Sequence, residues 1–557
     1  MNPQNRSVKG LDSRSETHDH SKTQIDIGQR KGDYLQYRAP SEHGNATISP
    51  PLRESNRLLV ENRLTLSEQT SFQSLRDSAR SHLIKTAIGF TRKYRDIDTV
   101  SDASSPPIIM SGHQPTLFHP GVWFKNFALS KIAKNNDAIP INLVIDNDVA
   151  IGSTIRVPLF DASNNQVSYQ SIDFDQAGGG VPYEQLSLAD PSRFDSFPSR
   201  VSECIRPLVA KPCVNKLWMH ASFARQRSEN IGTIFAEARH SLETQCDLET
   251  LEVPLSKLCE TAAFAEFALI ILDELHYFHR CYNASVQDYR LAHKIRSASH
   301  PVPNLRTSED WLEAPFWIYG NDDPKRRPAW VKRSGAKLSI SDGGSRERSM
   351  TLTDPCKSAE SLLAMTDPQF KIRPRAILTT MYARTILSDL FLHGIGGGKY
   401  DQLGDRIFQS FFQINPAKFV VISATATLPY SKQHRSVGNL HTIQRSIRDT
   451  IYQPETFTDE IDLPVEIIEQ KRALLRQIPE KGHRKQWHSE IERLNEQLAS
   501  YLASKQSELR ASLQQHRSET NTERILANRE YSFCLFNLNY LNQTFATILS
   551  EAETNGA

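Results

Sequence analysis

Two short apolar runs with a helix-forming stretch between them constrain this chain most. Ile108-Ile109-Met110 reads as a buried strand that breaks at Ser111-Gly112 into a polar loop. Pro120-Gly121 then opens an apolar helix through Phe124, Phe127, Ala128 and Ile132, since proline at a first helical position gives up only an N–H that has no intrahelical partner. Pro140 starts a second strand, Ile141 to Ile145, which ends at Asp146-Asn147-Asp148. Strand, turn, helix and strand within about 40 residues is the spacing of a parallel βαβ unit. The expected class is therefore α/β.

The rest of the chain adds to this unit. Phe419-Val420-Val421-Ile422 reads as another buried strand, and Phe316 to Tyr319 and Ala329 to Val331 flank a turn at Asn321 to Pro324 and read as a hairpin. Residues 376–393 read as helical, interrupted by Gly394 to Gly398, with a helix restarting near Gln402. Residues 1–52 are polar and poor in large apolar side chains, so they are expected to stay disordered. The expected core spans 53–455, with connecting segments inserted at about 155–345. Over 456–530, Glu, Gln, Lys, Arg and Leu dominate. Ile468, Leu475 and Ile478 mark one arm and Ile491, Leu494, Leu498 and Leu502 another, with a break at Pro479 to Gly482, the pattern of an antiparallel, coiled-coil-like helical arm. An apolar helix at 531–557 is expected to pack back on the core.

Composition narrows the function. Lys and Arg total 66 against 64 Asp and Glu, which argues against nucleic acid as a partner. The most apolar helical stretch, Ala262 to Leu272, is too short for a membrane span, and the N-terminus has no apolar signal region. The seven cysteines are widely spaced with no CxxC pair, which points to reduced thiols in a cytoplasmic protein and to no structural metal site. The near-zero net charge suits a small polar metabolite bound in a crevice.

Two segments could carry chemistry. In the first, Ser111, Gly112, His113 and Gln114 lie at the carboxyl end of a strand, where open α/β sheets bind ligands, with His119 and Lys125 following in the helix. His113 and His119 could donate to an anion or carry a proton, and Lys125 could contact an anion. Asp146 and Asp148 end the next strand and could hold an amine, a metal or a ribose, unless they are a solvated turn. The second is Gly394-Ile395-Gly396-Gly397-Gly398-Lys399-Tyr400-Asp401, a glycine cluster able to let a backbone approach a phosphate. It departs from the P-loop, because Tyr400 stands where Ser or Thr is needed. It also lacks the third glycine of a dinucleotide fingerprint, where Lys399 stands.

In this order, the segments resemble the bacillithiol-biosynthesis cysteine-adding enzymes. Ser111-Gly112-His113-Gln114 corresponds to that family's TGQQ-type loop, with Lys125 in the helix behind it. Pro140 to Asp148 corresponds to its strand ending in Asp-His-Asp, with Asn147 for the histidine. Tyr382 to Leu392, then Ile395 to Asp401, then Val420 to Thr425 correspond to its Arg-Pro helix, its Ile-Gly-Gly-Pro-Gly-Glu loop and its strand ending in Ser-Ala-Thr. The resemblance implies a Rossmann-like parallel core with helical connecting segments and a helical arm that forms a homodimer. It implies a ligase adding cysteine, or a similar amino acid, to the amine of an amino-sugar-type acceptor, in low-molecular-weight thiol biosynthesis. ATP or another nucleotide is the candidate cofactor, and no metal is implied. His113, His119, Asp146 and Asp148 would be catalytic. Ser111, Gly112, Gln114, Lys125, Gly396, Gly397, Gly398, Lys399 and Asp401 would bind substrate. The altered loop residues leave two other readings: a non-catalytic small-molecule- or nucleotide-binding protein of the same fold, and a scaffold acting through its arm.

Overall fold

A computed structural model describes residues 34–97, 105–161, 163, 166–176, 178–429, 439–480 and 482–554. At its centre is a sheet of six strands: β1 (Ala46–Ser49), β2 (Ile108–His113), β3 (Ile139–Val144), β4 (Leu251–Pro254), β5 (Leu390–His393) and β6 (Phe419–Ala424). Their spatial order is β1-β6-β5-β2-β3-β4. All neighbours run parallel except β1, which pairs antiparallel with β6 at the edge. The chain thus moves outward from β2 to β3 and β4, then returns to the other side of β2 to lay down β5 and β6.

The strands are apolar on both sides because both faces are covered. Ile108 and Met110 of β2 and Phe391 of β5 face one core, while Ile109, Leu390 and Leu392 face the other. Helix α1 (Pro120–Asn135), which follows β2, packs into the second core through Trp123, Phe124 and Phe127. Helix α2 (Ile231–Glu243) adds Ile234 and Phe235 to the same core. Helix α3 (Ile395–Phe412), which follows β5, packs into the first through Leu403, Ile407 and Phe408. The adjacent parallel strands β2 and β5 therefore send their chains to opposite faces, and a crevice opens between their carboxyl ends.

Several expectations are corrected. Residues 1–33 of the expected disordered tail lie outside the described residues, but Ala46–Ser49 form β1, since an edge strand is held by backbone pairing and needs few apolar side chains. Ser111, Gly112 and His113 belong to β2 rather than to a loop; β3 and β5 pair with β2 on either side and extend it. Leu390–His393 is a strand where a helix was expected, and the glycine cluster is the first turn of α3 rather than an interruption. The inserted material forms two blocks rather than one. Between β3 and β4 lie a hairpin (Thr154–Asp161 and Gln166–Asp173) and helices ending in α2; between β4 and β5 lie the helices Ala262–Asp273 and Leu275–Ala292 and an antiparallel sheet. That sheet contains the hairpin of Trp311–Tyr319 with Arg327–Ser334.

In the arm, helices Val465–Arg476, Arg484–Tyr501 and Ala503–Leu526 are joined by Asn439–Tyr452, which packs on the last two, so the arm begins before residue 456. A small core of Phe457, Leu463, Ile468, Leu498 and Leu502 holds it together. Beyond it, Phe533 packs tilted against Trp123 and Phe545 edge-on against Phe127, with ring centroids 4.6 and 4.8 Å apart, so helix Leu538–Thr554 covers α1. No helix among the described residues is long and apolar enough to cross a membrane.

Candidate functional site

The crevice at the carboxyl ends of β2 and β5 is a cavity of about 750 Å³. Its floor is Gly112 and His113 from β2, Gln114 just after it, and His393 to Gly397 from the end of β5 and the start of α3. Trp317, Arg326 and Arg375 from the inserted antiparallel sheet and its edges form one wall, and Arg529 and Glu530, which follow the arm, form another.

Lys125 sits one turn into α1 and reaches back along it, so that Nζ donates to the Gly112 carbonyl at 2.6 Å. It is buried, and among the described residues no carboxylate pairs with it. Burial, with the Arg239 guanidinium adding to it, pushes its pKa down to about 8. A buried ammonium bonded only to a carbonyl is poised for an anion.

The first turn of α3 lies across from it. Its N-cap, Gly394, supplies no side-chain cap, so the opening N–H groups remain donors with a favourable helix dipole. The glycines divide the work. A Cβ on Gly396 would meet nothing within 4 Å, so this position faces the open cavity. A Cβ on Gly397 would lie 2.8 Å from His393 Nδ1, and one on Gly398 would lie 2.3 Å from Val421 Cγ2. Gly397 thus lets His393 approach the turn, and Gly398 lets α3 press onto β6.

His393 ends β5. Its Nε2 donates to Asp401 Oδ2 at 2.8 Å, and Asp401 is also held by Arg384 and by the Thr380 hydroxyl. Burial acts to raise the Asp401 pKa, but Arg384 and His393 overcome it and hold the carboxylate well below the usual range. Burial likewise outweighs Asp401 at His393, whose pKa is lowered. The ring is therefore neutral, with Nε2–H turned to Asp401 and Nδ1 free to accept a proton.

His119 caps α1: its Nδ1 accepts from the Gly121 N–H at 3.1 Å, and its Nε2 lies 3.6 Å from Glu530. Burial lowers its pKa. Arg529 donates to Ser423 Oγ and to the Ala424 carbonyl, both at 3.0 Å. It crosses Gly121 so closely that a Cβ there would lie 2.6 Å from its guanidinium. On the opposite wall Arg375 and Arg326 lie over the Trp317 ring at 4.2 and 5.0 Å. Arg326 also pairs with Asp148 at 3.1 Å, and Gln114 donates to the same carboxylate at 2.9 Å.

Of the residues expected from sequence, Gly112, His113, Gln114, His119, Lys125, Asp148, Gly396 and Gly397 line this one cavity. The others are corrected. Asp146 turns away and binds the Ser256 N–H at 2.9 Å and its hydroxyl, fixing the chain after β4. Ser111 is fully buried on the sheet, and Gly398 is covered by β6. Lys399 is outside the lining, and Asp401 sits behind His393 rather than in the cavity. His119 is tied up as a helix cap, so a free proton-carrying role is not available at its Nδ1.

Sequence reasoning gave no site role to Trp317, Arg375 and Arg529, read His393 only as the residue opening the glycine segment, and set Arg326, able to bind an anion, aside as solvated. The apolar run Leu390-Phe391-Leu392 before His393 was the available signal for a strand end; the others have no local signature. Comparison with family models and with curated proteins finds no significant match.

Proposed function

We propose that this chain is a carbon–nitrogen ligase that adds cysteine or a similar amino acid to an amino-sugar-type acceptor, on a Rossmann-like core. The observation that carries this reading is the pairing of buried Lys125 with the uncapped first turn of α3 across one crevice. Together they can hold carboxylate or phosphate oxygens and the oxyanion that forms when an amine attacks an acyl carbon. His393 Nδ1 takes the proton that the attacking amine loses, while Asp401 and Arg384 fix the ring. The open face at Gly396 fits a phosphate group, so ATP or another nucleotide is a fitting cofactor; bound there it would supply the phosphoryl transfer that makes a carboxylate reactive. Arg326, Arg375 and Arg529 give the rim a cationic character suited to a small acidic metabolite. The same proposal includes a homodimer through the arm, where Val465, Leu475, Ile478 and Tyr501 expose apolar surface.

The test is incubation of the full chain with cysteine, ATP and glucosaminyl malate or other amino sugars, with mass spectrometry for a product equal to both reactants less water. Product with wild type and none with Lys125→Met supports the reading. Ligand-induced thermal stabilisation with no product across the panel would instead favour a binding protein of the same fold.

A further inference from the structure

Behind the His113 wall, the second core contains a polar layer where an apolar one would be expected. Ser111, Asn142 and Glu252 are register partners across β2, β3 and β4 and form a row. Above them, α1 contributes Asn126 and α2 contributes Glu243 and Arg239. The Asn126 amide donates to Glu243 Oε1 at 2.7 Å, Arg239 bonds Glu243 at 2.6 Å, and Arg239 also bonds Glu252.

This layer is short of protein partners. Among the described residues, seven of the eleven buried side-chain N and O atoms without a hydrogen bond lie here: Ser111 Oγ, His113 Nε2, Asn126 Oδ1, both amide atoms of Asn142, and the Oε2 atoms of Glu243 and Glu252. Every one of these residues is more than nine-tenths buried. Buried polar groups in native proteins are almost always satisfied, so seven orphans in one place mark a bound polar guest.

The inventory says what kind. His113 Nδ1 lies 3.3 Å from the Gln114 carbonyl and donates to it, which leaves Nε2 an acceptor. Asn126 is fixed by its bond to Glu243, with Oδ1 turned to the His113 ring as an acceptor that favours its protonated form. The two carboxylate oxygens and Asn142 Oδ1 are acceptors too, so the guest must bring donors and bridge several of them. Water does both. We propose that Ser111, Asn142, Asn126 and the two glutamates hold a string of ordered waters that carries protons between His113, at the crevice wall, and the Glu252 carboxyl.

A proton leaves the Glu252 carboxyl for the last water as the first water protonates His113 Nε2, so charge and atoms balance along the string. Burial pushes the Glu252 pKa up to about 7, against the pull of Arg239 and with Glu243 adding to the rise; Arg95 and Tyr94 also act on this carboxyl. Glu252 can therefore exist in both protonation states near neutrality. The relay stands whether or not the crevice forms amide bonds.

The test uses the full chain. A high-resolution crystal structure is expected to show waters bridging Ser111, Asn142 and Glu252; a layer closed on itself, or a metal cation held there, overturns the proposal. Infrared spectroscopy at mildly acidic pH then times the exchange of the Glu252 carboxylic proton for deuterium, with Glu252→Gln assigning the band. His113→Phe plugs the crevice end and Ser111→Ala with Asn142→Leu breaks the row. Exchange is expected to slow about tenfold or more in each folded variant. Unchanged exchange in His113→Phe overturns the relay even where the double variant does not fold.

Discussion

At the residue scale, Lys125 sets stability against binding. Its ammonium is buried with one carbonyl for a partner, so the fold loses stability by keeping it charged. The folded pKa is about 8 against an ordinary 10.5. Between those values the unfolded chain binds more protons, so stability contributed by this group rises with pH there, and its full cost is present below pH 8. Anion binding runs the other way and is lost as pH rises through about 8. Lys125→Met is therefore expected to stabilise the fold at neutral pH by about 2 kcal/mol while abolishing anion binding, read by denaturant melts and calorimetry. A loss of stability would show that the ammonium makes a stronger contact than its single carbonyl. Asp401 is the opposite case. Asp401→Ala leaves the Arg384 charge buried with only Asp405, at 2.8 Å, to oppose it, and is expected to cost about 3 kcal/mol in the same melts.

At the element scale, the glycine turn of α3 joins packing to binding through neighbouring positions. Gly398→Ala would press a methyl into Val421 and force α3 off β6, lowering stability by ~1–3 kcal/mol. Gly396→Ala meets no atom, and alanine suits a helix better than glycine, so its melt is expected to stay within ~1 kcal/mol of wild type or rise. The methyl nonetheless enters the cavity, and binding of a phosphate-bearing ligand should weaken. Equal melts for the two variants would contradict this division. The cluster was visible in the sequence, but its place was not. Four strand residues, Leu390–His393, are too few to show a period, and glycine ordinarily argues against a helix. The close approach of α3 to β6 is what favours glycine there.

At the scale of the whole molecule, one cavity collects residues from 39 to 530. The βαβ unit was legible because Ile108 to Met110 and Ile141 to Val144 are buried on both faces and so are apolar but for Asn142. The hairpin around Asn321 to Pro324 was legible from its turn chemistry. Trp317, Arg375 and Arg529 were not, since their role depends on which insertion folds over which strand end. The arm carries a separate prediction. Ile478 and Val465 are 66% and 65% exposed, so in the proposed arm-mediated dimer Ile478→Lys with Val465→Glu is expected to give a monomer by light scattering without lowering the melt of the core. An unchanged mass would remove the arm from the dimer interface.

The sequence alone determined the class of the fold and the neighbourhood of its crevice, because strand burial and helix starts are local properties of a few consecutive side chains. It placed His113, Lys125, Asp148 and the glycines in that neighbourhood. Only the tertiary structure decided that Asp146 and Asp401 are supports, that His393 lines the crevice held by Asp401 and that a polar layer lies beneath His113. Those outcomes turn on strand order, register and burial, and each of these is set by contacts between segments far apart in the chain.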